Sequence, residues 1–349
     1  MKKVKMFQVG CGKMSKYTIS YALEKGFEVV GAVDVNPKLI GKDLSKVIGG
    51  KKTGIIIGDV VDLKKLLKKS KANIAVITTM SLMADCEEVL LACAECGVNA
   101  ITTCEEAFYP MSSNPKLTKK LDKLCKENGC TITGSGYQDV FWGNLIYTLG
   151  GATHRIDKII GSSSYNVEDY GIALAEAHGA GYSKAKFDKE IASVDKMSDE
   201  ERQELINSGT YSPSYMWNVV PWLADRFGFT LKGMTQKCVP IIAKEDIYSS
   251  TLDMTIKKGD CTGMSAVVTG ETEEGVVIQA ECIGYVYGPK DVDRNEWTIE
   301  GEPSTTVVIT EPKTVELTCA SIINRIPDVI NTIPGYIPTS QLGELEYRG

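Results

Sequence analysis

Histidine is scarce in this sequence of 349 residues, which contains only His154 and His178. Two imidazoles leave little material for a histidine-rich metal site or a histidine-centred triad, and we expect no bound metal. No apolar run approaches the ~18 residues that cross a bilayer, and no secretory signal opens the sequence, so we expect a cytoplasmic protein without membrane contact. The 45 Asp and Glu residues outnumber the 39 Lys and Arg residues, which argues against nucleic acid as a partner.

Cysteine is plentiful, with 11 residues, but its pattern indicates no zinc site. Cys93 and Cys96 form one C-x-x-C inside an apparent helix, and no second Cys or His pair follows at ligand spacing. We interpret the cysteines as reduced thiols.

Short apolar runs alternate with helix-like segments in residues 1–138. This alternation predicts an α/β domain built on a doubly wound parallel sheet of the Rossmann type. The chain is longer than one hydrophobic core usually serves, so a second domain is expected. A helix-like pattern returns at the start of 315–349, and we expect this tail to pack on the first domain. The strand-like runs of the first domain are 3–9, 28–34, 54–57, 74–79, 98–103 and 131–134.

The pattern changes in residues 139–314, which we assign to substrate binding and dimerisation. Long strand-like runs at 261–271 and 276–287 are joined by a turn sequence typical of a hairpin. We therefore expect an α+β domain with an open, largely antiparallel sheet. An open sheet face usually needs cover, which predicts a homodimer through this sheet.

A glycine-rich turn follows the first strand-like run, where Gly10-x-Gly12-x-x-Ser15 opens a helix. Gly10 permits a tight turn, Gly12 allows backbone amides to approach a pyrophosphate, and Ser15 substitutes a small residue for a third glycine. We expect this turn to bind NAD through Gly10, Gly12, Lys13, Met14 and Ser15.

Asp34 ends the next strand-like run, about 20 residues after the turn. A carboxylate there accepts hydrogen bonds from the adenosine ribose and repels a 2′-phosphate, which favours NAD over NADP. Lys38 softens this preference, so NADP stays open as an alternative.

Small polar residues end the fourth and fifth strand-like runs, at the sheet edge where ligands bind in such folds. We expect Thr78, Thr79 and Thr103 to contact the cofactor. The alternative for Thr78 and Thr79 is a cap for the helix that begins near Ala84.

Two adjacent carboxylates, Glu105 and Glu106, follow the fifth run near the expected nicotinamide. Desolvation in a water-poor cleft raises the pKa of a carboxyl group and allows proton exchange near neutral pH. Both residues are candidate catalytic acids or bases. The alternative is a capping or surface pair.

The stretches 35–49, 99–110 and 134–139 resemble the 2,4-diaminopentanoate dehydrogenase group, which belongs with the amine dehydrogenases and the dihydrodipicolinate-reductase-like enzymes. They contain Val35-Asn36-Pro37, the Glu-Glu pair, and Gly134-Ser135-Gly136-Tyr137-Gln138-Asp139. The tail from Ile323-Asn324-Arg325-Ile326-Pro327 to Pro334-Gly335 also resembles this group, so the similarity covers nearly the whole chain.

This resemblance implies oxidative deamination of 2,4-diaminopentanoate at C4, as in ornithine catabolism, to give 2-amino-4-oxopentanoate, ammonia and NAD(P)H. It also implies a catalytic glutamate at Glu105, where related folds place a catalytic lysine. A one-residue slip to Glu106 stays open. Such a carboxylate stabilises the iminium ion left by hydride transfer, takes a proton from water and assists loss of ammonia.

A substrate with an amino-acid end needs polar partners and an aromatic wall. Trp142 is the best candidate wall, and its alternative is core packing of a helix over 140–149. The polar and remaining candidates are Gln138, Asp139, Tyr165, Asn166, Glu168, Asp169, His178 and Arg325.

Other functions stay as alternatives. A sugar or inositol dehydrogenase would have Glu-Lys-Pro where this chain has Glu105-Glu106-Ala107. The chain also lacks the His-His and Lys-x-x-x-Ser-Gly-Thr signature of a dihydrodipicolinate reductase. A different amine or a semialdehyde is a further option for the substrate, and a non-catalytic sensor would bind NAD(P) without amine-dependent reduction.

Overall fold

The computed structural model describes residues 3–348, which divide into two compact units. The first unit comprises the residues up to Asn144 together with those from Lys313 onwards, and the second unit is Leu145–Pro312. The sequence placed these boundaries at 138/139 and 314/315. The two ends of the chain therefore build one unit together.

Six parallel strands begin the first unit and lie in the order β6-β5-β4-β1-β2-β3. Successive residues of β1 enter different apolar cores, since Met6 packs on one side of the sheet and Phe7 on the other. A parallel sheet buried on both faces is the doubly wound arrangement that the alternation predicted, and this prediction is confirmed. The strands are β1 (Lys5–Val9), β2 (Glu28–Asp34), β3 (Ile57–Asp59), β4 (Ile74–Ile77), β5 (Asn99–Thr102) and β6 (Thr131–Gly134).

The helices of the first unit supply apolar side chains to both cores. Ile19 packs in the core of Met6, whereas Leu67, Leu90 and Leu121 pack in the core of Phe7. The α-helices up to Asn144 are α1 (Ser15–Glu24), α2 (Ser45–Ile48), α3 (Leu63–Ser70), α4 (Met83–Glu95), α5 (Pro115–Asn128) and α6 (Tyr137–Asp139). Turns of 3-10 helix occupy Val60–Asp62 and Glu106–Phe108, and a π-helical turn occupies Val140–Asn144.

The second unit is α+β. Its strands are β7 (Arg155–Asn166), β8 (Leu231–Ile242), β9 (Ile247–Ser249), β10 (Met254–Ile256), β11 (Cys261–Thr272), β12 (Val277–Tyr285), β13 (Arg294–Glu302) and β14 (Thr305–Thr310). Its α-helices are α7 (Leu145–Gly150), α8 (Ile172–Ala177), α9 (Lys184–Glu190), α10 (Asp199–Ser208) and α11 (Met216–Phe227), with 3-10 turns at Val167–Tyr170 and Ala192–Lys196.

The main sheet of the second unit has the order β14-β13-β7-β12-β11-β8, while β9 and β10 form a separate pair. Its neighbours are antiparallel except for β7 and β12, which run parallel. The expectation of a largely antiparallel sheet is confirmed, with this one parallel pair added. Helix α11 covers one face, since a Cβ on Gly270 would lie 2.6 Å from Val220.

The tail returns to the first unit, as predicted, through α12 (Thr314–Asn331). Ile322 and Ile326 pack in the core that contains Met6. A strand that the sequence did not indicate, β15 (Gly335–Tyr336), then pairs in parallel with β6, and a 3-10 turn occupies Thr339–Gln341. No helix within residues 3–348 is long and apolar enough to cross a membrane.

Candidate active site

The glycine turn, residues 10–15, lies between β1 and α1. Gly10 has a φ of +83°, and a Cβ there would lie 2.9 Å from the backbone oxygen of Thr78 and 2.8 Å from the Thr79 side chain. The Gly10 N–H donates to Val33 O at 2.9 Å, which ties the turn to β2. Glycine is required here both by the backbone conformation and by the close approach of β4.

A buried glutamine that the sequence reasoning missed holds this turn. Gln8 is fully buried within β1, and its Nε2 donates to Gly10 O and to Thr78 Oγ1, both at 2.9 Å. Thr18 Oγ1 of α1 donates to Gln8 Oε1 at 2.9 Å. The signal in the sequence is a single polar residue inside an otherwise apolar strand, because a buried amide needs partners.

Gly12 differs from Gly10 in what surrounds it. A Cβ on Gly12 would meet no protein atom within 4 Å, and Gly12 and Lys13 are exposed. Ser15 is buried at the start of α1, and its Oγ donates to Gly12 O at 2.7 Å. The first turn of α1 thus presents backbone N–H groups beside open space, which fits the pyrophosphate of a dinucleotide. Met14 is the half-buried residue that precedes α1.

Asp34 sits at the end of β2 beside the glycine turn. Its carboxylate accepts hydrogen bonds from Cys11 N at 2.5 Å and Asn36 N at 2.7 Å. A carboxylate has about four acceptor positions, so it retains capacity for ribose hydroxyls. Burial and the Asp34 charge raise the pKa of the Cys11 thiol to about 12, which keeps that thiol neutral.

The three threonines directly follow the ends of β4 and β5. Thr78 Oγ1 donates to Gly10 O at 3.1 Å, Thr79 is exposed, and Thr103 is buried with its N–H bonded to Ile77 O at 3.0 Å. The N-cap of α4 is Leu82, without a capping side chain. The alternative in which Thr78 and Thr79 cap this helix is therefore wrong.

Glu106 provides the acceptor that α4 lacks at its start. Its carboxylate accepts from Met83 N at 2.6 Å and from Ser113 Oγ at 2.8 Å, and its N–H donates to Ser81 O at 3.2 Å. Glu106 is 9% exposed. The Glu106 side chain therefore satisfies a backbone N–H group at the N-terminus of α4 and has a structural role.

Glu105 lies one residue earlier and is partly exposed. Desolvation raises the pKa of its carboxyl above the usual range, and the Ser81 side chain offsets part of this effect. The sequence could not separate the two glutamates, because neighbours in a short turn have similar local patterns. Their surroundings distinguish them. The Glu106 carboxylate binds the N-terminus of α4, whereas the pKa of the Glu105 carboxyl is raised, as is typical of groups that transfer protons.

The segment after β6 holds Gln138, Asp139 and Trp142. Gln138 is buried, with its Nε2 3.4 Å from Ser135 O. Trp142 lies in the π-helical turn, edge-on to Tyr137 at 6.1 Å between ring centroids. The regular helix expected over 140–149 is thus wrong at its start, where a π-helical turn precedes α7. Such turns are often found at functional sites.

Asp139 and Arg325, both predicted to face substrate, contact each other. Arg325 Nε donates to Asp139 Oδ2 at 3.0 Å and Nη2 donates to Oδ1 at 3.1 Å, with both side chains fully buried. Ser135 Oγ and Asn144 Nδ2 also donate to this carboxylate, each at 2.8 Å. The pair has a structural role, joining α12 to the start of the π-helical turn.

The second unit contains the other candidates. His178 Nδ1 lies 2.8 Å from Leu174 O, so it carries a proton, and Nε2 accepts from the Tyr165 hydroxyl at 2.8 Å. Burial lowers the pKa of His178 and favours this neutral ring. Asn166 Oδ1 accepts from Glu168 N at 3.2 Å. Asp169 is exposed, following Glu168 in the same 3-10 turn.

Glu168 also has a structural role within the second unit. Its carboxylate accepts from Ser249 Oγ at 2.8 Å and from Thr251 N at 2.9 Å, which joins the 3-10 turn to the loop after β9. Within residues 3–348, no group of three or more His, Cys, Asp or Glu side chains is arranged to hold a metal ion.

A doubly wound sheet, an open glycine turn at a helix N-terminus and an acidic residue ending β2 define a dinucleotide-binding domain. A family model described as the 2,4-diaminopentanoate dehydrogenase C-terminal domain matches residues 141–343. The chain is 38% identical to the amine dehydrogenase from Mycobacterium smegmatis, with a TM-score of 0.82 over 99% of this chain and 97% of that one. The chain therefore belongs to the 2,4-diaminopentanoate dehydrogenase family and is an NAD(P)-dependent enzyme.

Two further similarities differ in what they show. The chain is 25% identical to 2,4-diaminopentanoate dehydrogenase from Acetoanaerobium sticklandii, across 96% of this chain and 92% of that protein. A myo-inositol 2-dehydrogenase from Lactobacillus plantarum is 10% identical with a TM-score of 0.55, covering 95% of this chain and 89% of that one. This last similarity shows the fold alone.

Proposed function

We propose that the protein catalyses NAD(P)-dependent oxidative deamination of 2,4-diaminopentanoate at C4, with Glu105 as the acid and base. The observation that carries this proposal is the division of work in the Glu-Glu turn, which we define as residues 105–108. Glu106 is committed to Met83 and Ser113, whereas the pKa of Glu105 is raised by desolvation. The names of the relatives support an amine as the substrate.

The reaction consists of an oxidation and a hydrolysis. Held at the glycine turn and Asp34, NAD(P) would supply the acceptor for the hydride that leaves C4, and loss of this hydride would convert the neutral amine to an iminium. The ionised Glu105 carboxylate stabilises this cation electrostatically. Water then adds to C4, and its proton passes to Glu105. Glu105 returns that proton to the nitrogen, the C–N bond breaks to release ammonia, and the hydroxyl proton leaves to solvent as the ketone forms.

Candidate substrate contacts are proposed within each unit taken by itself. Gln138 and Trp142 offer an amide and an aromatic wall. The Tyr165 hydroxyl donates to His178, so its oxygen retains an acceptor position for a substrate ammonium group. Asn166 offers its amide nitrogen, because its Oδ1 accepts from Glu168 N. These assignments rest on side-chain chemistry and on the resemblance to the family.

NAD is proposed as the preferred cofactor. The Asp34 carboxylate stands at the end of β2 with acceptor capacity left, and its charge opposes a 2′-phosphate. Lys38 is exposed four residues later and reduces this opposition. We therefore expect NADPH formation to be slower than NADH formation at equal cofactor concentration, but measurable.

The test follows NADH and NADPH formation with 2,4-diaminopentanoate, simple amines, amino acids and hydroxy acids. We expect amine-dependent reduction by the wild type, and a loss of about 10²- to 10⁴-fold in kcat for Glu105→Gln with NADH binding retained. Glu106→Gln is the comparison variant: its amide oxygen still accepts one of the hydrogen bonds from Met83 and Ser113, so we expect a loss of stability and a smaller loss of kcat than in Glu105→Gln. Turnover of hydroxy acids but not amines would refute the amine proposal, as would cofactor binding without any turnover. An active Glu105→Gln would refute the catalytic assignment.

A further inference from the structure

The Glu-Glu turn is short and has few backbone hydrogen bonds of its own to fix its conformation. Its 3-10 helix spans only Glu106–Phe108. The backbone bonds that close it are Ala107 N to Cys104 O at 3.1 Å and Phe108 N to Glu105 O at 3.3 Å. Short 3-10 turns have poor hydrogen-bond geometry, so the direction of the Glu105 side chain depends on contacts from outside the turn.

One of these contacts comes from the C-terminal tail. The Tyr336 hydroxyl donates to Ala107 O at 2.5 Å, across 229 residues of sequence. Its ring is 4% exposed and packs in the same apolar core as Cys104 and Ala107. A hydroxyl bound to a buried carbonyl satisfies an acceptor that would otherwise be costly to bury.

The backbone around Tyr336 is itself fixed. Gly335 N donates to Cys130 O and Ile337 N donates to Ile132 O, both at 3.0 Å, which makes β15 the edge strand next to β6. Tyr336 N also donates to Asp122 Oδ1 of α5 at 3.2 Å. The backbone that carries the Tyr336 phenol is thus fixed by hydrogen bonds to β6 and to α5, both in the first unit.

A second contact to Ala107 comes from β6. A Cβ on Gly134 would lie 2.3 Å from the Ala107 carbonyl carbon and oxygen, so the turn touches the strand backbone directly. The Ala107 carbonyl is therefore in contact with both Gly134 and the Tyr336 hydroxyl. Ala107 is two residues after Glu105 in the same turn.

We infer that Tyr336 is a positioning residue for the reaction: its hydroxyl fixes the Glu-Glu turn and with it the carboxyl group of Glu105. This inference rests on the proposed function, because it assigns Tyr336 an effect on Glu105. A displacement of the order of 1 Å can cost about 10²-fold in rate, so a single hydrogen bond to the turn is sufficient to matter.

The experiment compares Tyr336→Phe with the wild type in the complete protein, with the substrate that the wild type turns over. Tyr248→Phe is the matched control, since its hydroxyl donates to Asp253 at 2.7 Å on the surface of the second unit. For each variant, kcat per cofactor-binding site, the KM for NAD and the acid limb of the kcat/KM pH profile are measured. Normalising to NADH-binding capacity removes any contribution from unfolded protein.

We expect Tyr336→Phe to lower kcat by about 10- to 100-fold with an unchanged KM for NAD and a shifted acid limb, while Tyr248→Phe matches the wild type. A Tyr336→Phe variant with wild-type kcat per site overturns the inference, as does a loss seen equally in Tyr248→Phe. A wild type that reduces no cofactor with any amine refutes the proposed function instead, so the two failures are distinguishable.

Discussion

Arg325 and Asp139 form a two-bonded ion pair between groups 186 residues apart, with both side chains fully buried. Arg325 Nη1 also donates to Gly343 O at 2.6 Å and to Asp328 Oδ2 at 3.2 Å. The network joins α12 and the following tail to the segment that carries Trp142. Its geometry satisfies most donors of the guanidinium, which a buried charge requires.

Removing one partner of this pair should destabilise the first unit strongly. Asp139→Asn removes the two-bonded partner of the buried Arg325 and leaves Asp328 at Nη1 as its counter-charge, and we expect a loss of about 3 kcal/mol in the free energy of unfolding, measured by urea denaturation. Asp157→Asn breaks the exposed pair with Arg155, and we expect its free energy of unfolding to match that of the wild type. Equal losses of unfolding free energy in the two variants would show that the buried pair stabilises the protein no more than the exposed pair does.

The two glycines of the dinucleotide site should respond differently to alanine. Gly10→Ala places a Cβ against Thr78 and Thr79 at a φ of +83°, so we expect a loss of at least about 1–2 kcal/mol in stability together with weak cofactor binding. Gly12→Ala meets no protein atom and should keep wild-type stability.

Binding of NADH to Gly12→Ala should nevertheless weaken by about tenfold or more, equivalent to ~1.4 kcal/mol, because the added methyl occupies the space proposed for the pyrophosphate. Thermal unfolding and fluorescence titration with NADH measure the two effects separately. Wild-type affinity in Gly12→Ala would place the pyrophosphate elsewhere.

The raised pKa of Glu105 predicts a pH dependence for activity and one of opposite sign for stability. Hydrolysis of the iminium needs the ionised carboxylate, so kcat/KM should fall as the pH drops through a pKa above the ~4.3 of an exposed glutamate. Folding disfavours the ionised form, so stability should decrease as the pH rises from about 4.3 through the folded-state pKa.

Glu105→Gln removes this titration. The variant should therefore lose the acid limb of the activity profile and gain stability near neutral pH relative to the wild type, a common exchange at active sites. Activity assays and urea denaturation between pH 4 and pH 8 test both limbs. A wild type and variant with parallel stability profiles would contradict the assignment of the raised pKa to Glu105.

Local patterns predicted the doubly wound sheet, the second α+β domain and the returning helix, since each depends on residues near one another in sequence. The run at 261–271, for example, corresponds to β11 (Cys261–Thr272). Contacts between residues far apart in the sequence could not be predicted from such local patterns. Tyr336 on Ala107 and Arg325 on Asp139 arise only when distant segments pack, and β15 has just two residues. For the same reason, Asp139 and Arg325 looked like substrate ligands.

The open face of the second unit's sheet leads to the last prediction, a homodimer. Ile160, Val267, Ile283 and Val308 project to the face opposite α11, and Val308 is 40% exposed. Charged and polar residues lie among them, including Glu281, which pairs with Val267. Interfaces between subunits combine apolar with polar area, so this sheet face is our candidate for one.

We expect light scattering after gel filtration to give twice the chain mass for the wild type and the single chain mass for Ile160→Glu. The glutamate would stand between Gln279 and Thr298 near the centre of the face, and an interface there would have to desolvate its charge. Val61→Glu is the matched control, because Val61 is 84% exposed in the first unit and should leave the mass unchanged. A monomeric wild type would contradict the prediction, and a dimeric Ile160→Glu would place the interface on another surface.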